Sequence, residues 1–154
     1  MKRAKFLWPL THGHQHALTA AKIIRERLQA NPSDTSISSE VLNFYDDELA
    51  AHFEVEEEML ATVKSRCPAN DPDLSRTLTD HQKMKELLNL SGSQHLLEFA
   101  ELLTQHIRFE EEILFARLEG IFKEEEVGLW EKILKLAAPA CPRLPAPPMR
   151  TQPG

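Results

Sequence analysis

A histidine followed four residues later by a glutamate occurs twice in this chain, as His52 with Glu56 and as His106 with Glu110. Four residues turn a helix through about 400°, so each imidazole lies one turn from its carboxylate on the same face. Both pairs fall inside apolar stripes, where an ionisable group is costly unless it is paired or bound to a cation. His14 and His81 take equivalent inward positions on two other expected helices. Imidazole nitrogen and carboxylate oxygen together suit iron, manganese or zinc, and the set contains no thiolate. The chemistry implied is a dinuclear metal site, in which each glutamate can bridge two ions and two imidazoles terminate each ion. A structural zinc site would close one tetrahedron with fewer donors than these six. Two redox-active irons are therefore the first choice, with positions left open for oxide, hydroxide or a small diatomic molecule. Zinc or manganese is the alternative.

Each of these residues taken singly has an ordinary explanation. An inward histidine is more often a satisfied core residue than a ligand, and a run such as Glu110 to Glu112 more often a solvated face. Taken together, the stripes offer no lysine or arginine to neutralise two core carboxylates beside four imidazoles. Helical phase separates ligands from bystanders. His12 and His16 lie about 200° from His14, which makes His12 a residue of the helix start and His16 a surface residue. His95 shares a face with His106 but sits about 16 Å along the axis, at the bundle end. Glu57 and Glu111 are about 140° from the preceding histidine and are expected to face water. Tyr45, two turns before His52, is expected to pack within the stripe.

Four helices must position these groups. The first is expected to start near Thr11 or His12 and run to Gln29, where Asn31 and Pro32 stop it. The second runs from a cap at Ser38 or Ser39 to Lys64. The third covers Asp73 to Asn89 and the fourth Gln94 to Ile121, with a shorter fifth helix over Glu124 to Ala137. The inward stripes are Leu10, His14, Ala17, Leu18, Ala21, Ile24 and Leu28; Val41, Tyr45, Leu49, His52, Glu56, Met59 and Val63; Leu74, Leu78, His81, Met84 and Leu88; and Phe99, Leu103, His106, Glu110, Ile113 and Leu114. Counted along the axes, the ligand levels agree to within about one turn, except across the link between the second and third helices, where about 8 Å must be absorbed. Short connections make the fold class all-α, an antiparallel up-down-up-down four-helix bundle. The bundle with its fifth helix should occupy residues 1–138. Six of the ten prolines fall in 139–154, which reads as a disordered tail.

Composition agrees. A chain of 154 residues, 42% hydrophobic and 27% charged, is an ordinary soluble domain long enough to bury a core. A net charge of −6 argues against nucleic acid or an anionic membrane as partner. No apolar run is long enough to span a bilayer and no signal peptide is evident, so a cytoplasmic home is expected. Cys67 and Cys141 each precede a proline and read as isolated thiols.

The stretch from Pro9 through His14 to Leu18, the pair His52 and Glu56, Asp80 with His81, and the run from His106 to Glu111 resemble, in that order, the hemerythrin-like HHE cation-binding family of four-helix bundles. The resemblance spans residues 6–120. Carried over position by position, it implies His14, His52, Glu56, His81, His106 and Glu110 as metal ligands around an oxo- or hydroxo-bridged di-iron centre. The oxygen carriers of the family have a further histidine one turn along the third helix, whereas Thr77 and Lys85 stand one turn either side of His81. The chain thus resembles the four-histidine, two-glutamate subgroup, whose members sense oxygen or iron, respond to nitric oxide or peroxide, or help repair iron–sulfur clusters. The repair proteins carry a cysteine-bearing segment at the N-terminus, and nothing before Trp8 matches it. The expected function is binding or sensing of a small diatomic ligand, oxygen or nitric oxide, with a protein partner left open. The alternatives are a di-iron redox enzyme acting on peroxide or nitric oxide, and iron storage or iron–sulfur repair.

Overall fold

A computed structural model describes residues 3–137. The proline-rich tail and Cys141 lie outside the described residues. Within them the chain is helical throughout, with no strand. A short 3₁₀ turn, Lys5–Leu7, leads into α1 (Trp8–Ala30). The second long helix is α2 (Ser36–Phe44), a π-helical turn Tyr45–Leu49, and α3 (Ala50–Val63). It closes in a 3₁₀ turn at Lys64–Arg66. Next comes α4 (Pro72–Leu88). The fourth long helix is α5 (Ser93–Phe109), a second π turn Glu110–Leu114, and α6 (Phe115–Ile121). The last is α7 (Glu124–Ala137). The helices form an all-α bundle in which α5 packs between α1 and α4.

The helix starts show why these segments fold as they do. Trp8 and Pro9 belong to α1 rather than preceding it, because proline in a first turn has no amide to leave unpaired. The second helix starts at Ser36, not at a cap on Ser38 or Ser39: Asp34 Oδ1 accepts from the Ser36 amide at 3.0 Å and hydroxyl at 2.6 Å. Asp71 caps α4, its Oδ1 accepting from the amides of Asp73 at 3.0 Å and Leu74 at 3.3 Å. Arg117 of α6 grips both oxygens of the same carboxylate at 2.7 and 2.6 Å and thus ties the start of α4 to the far end of the fourth long helix.

Hydrogen bonds from Arg117 and the two amides outweigh burial and hold the Asp71 pKa at about 2, against about 3.9 unfolded. A carboxylate depressed in the folded state contributes stability above its unfolded pKa and loses it as pH falls through the folded value. Asp71→Ala should therefore cost about 1–2 kcal/mol at neutral pH through the lost cap alone. The deficit should persist down to about pH 4 and shrink toward pH 2, which urea midpoints taken across that range will check.

The core is not continuous. One apolar cluster holds Ile24, Val41, Phe53, Met84, Phe99 and Leu103 with their neighbours. A second holds Leu7, Leu10, Met59, Leu74, Phe115 and Trp130 with theirs. Between the two lies a layer made by His14, Glu56, His81, His106 and Glu110, all buried, with His52 at its edge. The fifth helix closes the second cluster through Trp130 and Leu134.

Two expected core residues are outside. Ile113 is 45% exposed and Leu78 46%. At Ile113 the cause is the π turn: its i→i+5 bonding takes in an extra residue, so the buried face passes from Phe109 and Glu110 to Leu114 and Phe115. The same step of five separates buried Phe44 from Leu49 across the first π turn. On α4 the interior stripe runs Leu74, Thr77, His81, Met84 and Leu87, which turns Leu78 aside and leaves Leu88 partly buried. No described helix is long and apolar enough to cross a membrane.

Candidate metal centre

The structure brings all six expected residues to one place. Their ligand atoms form two overlapping groups, His14, His52, Glu56 and Glu110 in one, and Glu56, His81, His106 and Glu110 in the other. Within each group the atoms lie within 4.8 Å of one another. The two glutamates belong to both groups. Glu56 Oε2 stands 2.8 Å from His52 Nε2 and 3.4 Å from His14 Nε2, while its Oε1 stands 3.2 Å from His81 Nε2. Glu110 Oε1 is 3.1 Å from both His14 Nε2 and His106 Nε2. Between α3 and α4 the chain runs through the 3₁₀ turn at Lys64–Arg66 to the cap at Asp71.

The outer nitrogens of three rings each meet a carboxylate. His14 Nδ1 lies 2.7 Å from Glu111 Oε2, His81 Nδ1 2.9 Å from Glu57 Oε2, and His106 Nδ1 3.0 Å from Asp80 Oδ2. A carboxylate only accepts, so Nδ1–H donates in all three, and in the neutral ring Nε2 is left as an inward lone pair. The partner carboxylate comes from a neighbouring helix each time. Two of them are backed by cations: Arg3 reaches the Glu111 carboxylate at 3.7 Å and donates to its backbone carbonyl, and Arg76 lies 3.7 Å from Asp80. Aromatic walls hold two ring planes, Phe53 stacked on His81 at 3.9 Å and Phe115 on His14 at 5.2 Å.

Phase reasoning missed part of this. Glu57 and Glu111 do not simply face water; both serve imidazoles on other helices, although Glu57 remains half-exposed. Asp80 is adjacent to His81 in sequence, yet it holds His106. These partners escape sequence inspection because an i to i+4 count reports contacts within one helix, whereas the carboxylates reach across helix pairs. Tyr45 is partly buried and meets Phe53 edge-on, as expected of a packing residue. His12 is exposed and His16 and His95 are partly so; none of the three joins the cluster.

The inward atoms are short of hydrogen-bond partners. His14 Nε2, Glu56 Oε1 and both oxygens of Glu110 are buried and accept or donate no hydrogen bond. His81 Nε2 and His106 Nε2 face each other at 3.1 Å. As neutral Nδ1–H rings they would oppose two lone pairs, which either a cation or a proton satisfies. In the metal-free protein a proton does so. Burial opposes the His106 imidazolium, but Glu110, Asp80 and Glu56 prevail and push its pKa up to about 10. Burial likewise opposes protonation of His14, and Glu110, Glu111 and Glu56 hold its pKa well above the usual histidine range. Burial would raise the Glu56 carboxyl, yet His52, His14 and His81 hold it well below the usual carboxylate range. Donor set, buried atoms without hydrogen bonds and facing ring nitrogens all fit bound cations.

The Hemerythrin HHE cation binding domain family matches the chain over residues 7–118, a span that contains every residue of the cluster. No curated protein and no solved structure matches it.

Proposed function

The chain belongs to the hemerythrin HHE cation-binding family, and from that footing we propose that it holds two cations, irons by preference, through His14, His52, Glu56, His81, His106 and Glu110, and takes up oxygen or nitric oxide there. The observation that carries the reading is the convergence of four imidazole Nε2 atoms on two shared carboxylates, with those of His81 and His106 3.1 Å apart. Each position receives two imidazoles and the two glutamates, four donors in all. Iron accepts more donors than four, so the protein leaves room for a small ligand at each position. Bound iron would supply a redox-active centre able to bind a diatomic molecule. The chain's own part is to fix the donors. Glu57, Asp80 and Glu111 hold three rings in the Nδ1–H tautomer and so raise the basicity of Nε2. Two apolar clusters above and below exclude water and strengthen each electrostatic contact.

Metal analysis of protein purified without added metal tests the first half, with two irons per chain expected. One zinc per chain would overturn the di-iron assignment. The second half predicts that nitric oxide, titrated anaerobically into the reduced protein, changes its visible absorption saturably. A response no different from that of the chelated protein removes the ligand-binding reading, and turnover of peroxide or nitric oxide far above that of free iron replaces it with an enzymatic one.

A further inference from the structure

The two positions are built alike at the centre and differently around it. At the position made by Glu56, His81, His106 and Glu110 every donor is buried. Both of its imidazoles donate to carboxylates, and His81 is stacked on Phe53 besides. At the other position His14 is held by Glu111, whereas among the described residues no carboxylate is hydrogen-bonded to His52 Nδ1, and only its Nε2 pairs, with Glu56. The His52 side chain is 13% exposed and its Nδ1 faces the backbone of α1 at Gly13. A Cβ at Gly13 would stand 2.9 Å from that nitrogen, closer than real Cβ atoms come, and a tight 3.2 Å from Cε1, so the ring of His52 would have to shift. Glycine inside a helix is disfavoured relative to alanine, so its presence in the second turn of α1, beside His14, has a use. The missing Cβ admits the imidazole ring.

Resting on the di-cation reading above, we infer that the two positions are unequal: the one that includes His52 is the weaker, exchangeable position, and Gly13 is the positioning residue that sets its affinity. Loss of a carboxylate behind a ligating histidine typically weakens metal binding by about 10–100-fold, and one position lacks such support at one of its two rings. The first iron should therefore settle at His81 and His106, and the second at His14 and His52. A ring held by a snug surface rather than by a hydrogen bond depends on the shape of that surface. Gly13 supplies it.

The test is an anaerobic equilibrium titration of the chelated full chain with ferrous iron alone. Two steps separated by about 10–100-fold are expected. Gly13→Ala should weaken the second step by about tenfold or more and leave the first unchanged. The chelated variant should melt no lower than the chelated wild type, since alanine favours the helix and the ring of His52 can swing outward. Gly120→Ala, at a helical position where an added Cβ meets nothing within 4 Å, should change neither step. His52→Ala should keep one tightly held iron. Two steps equal within about threefold would overturn the inference while leaving two irons per chain in place, as would a Gly13→Ala protein that binds both irons as the wild type does or loses both steps equally. A wild-type chain that binds no iron at all would instead take down the functional reading beneath it.

Discussion

Chelation at pH 8 should lower the melting temperature of the metal-loaded protein by roughly 8–16 °C. A ligand present at about 1,000 times its dissociation constant stabilises the fold by about 4 kcal/mol, and about 2–4 °C is expected per kcal/mol in a chain of this size. The loss is large because the central layer cannot close on itself. Without cations, Glu56 and Glu110 are buried carboxylates set against imidazoles, two of which face each other at 3.1 Å. Protons partly substitute. With the His106 pKa at about 10 and that of His14 also raised, the chelated protein at pH 8 carries protons that metal binding must expel.

The signs follow directly. A histidine raised in the folded state contributes stability that is fully present below its unfolded pKa, about 6.5, and lost as pH rises through the folded value, here about 10 for His106. The chelated protein should therefore weaken from pH 7 toward pH 10, while iron affinity, no longer opposed by protons, rises over the same range. The gap between loaded and chelated melting temperatures should widen with pH. Calorimetric titration in buffers of different ionisation enthalpy will count the protons released. A gap that narrows with pH, or a chelated protein that melts with the loaded one, contradicts the assignment of these six residues to a metal.

The centre was legible in the sequence because its defining contacts are local. His52 with Glu56 and His106 with Glu110 are one-turn pairs, and His14 and His81 sit on stripes with clear period. Helix existence was equally plain from the breaks at Asn31, Cys67 and Ser91 onward. Where regularity fails, so does legibility. Two π turns insert a residue into the second and fourth long helices, and neither Tyr45–Leu49 nor Glu110–Leu114 carries a proline or glycine to announce it. An unbroken α period would put Ile113 inside; the π turn puts it outside. The supports were hidden differently. Asp80, Glu57 and Glu111 act across pairs of helices, at a register no single-helix count contains, and Gly13 works by lacking an atom. The positions that hold donors obey helical periodicity; those that orient them depend on tertiary packing.

Glu110→Ala should abolish iron loading at both positions, a loss of at least about 100-fold in affinity at each, whereas removing Glu57 should weaken only one. Glu110 is fully buried and shared by both groups, and its Oε1 stands 3.1 Å from an imidazole of each. In the chelated protein the same substitution removes the carboxylate that does most to hold the proton on His106, so it should cost stability there too. The melting temperature of the variant should therefore fall below that of the wild type in both states, and by more when metal is supplied. Its neighbours give the contrast within a single turn of chain. Glu111 holds His14, so Glu111→Gln should leave two irons per chain but loosen one of them. Glu112 is exposed, and Glu112→Ala should leave loading and melting as they are. Three consecutive glutamates with three different outcomes cannot be mimicked by general loss of negative charge. If Glu110→Ala binds two irons as the wild type does, the shared carboxylate is not a ligand and the centre has to be drawn without it.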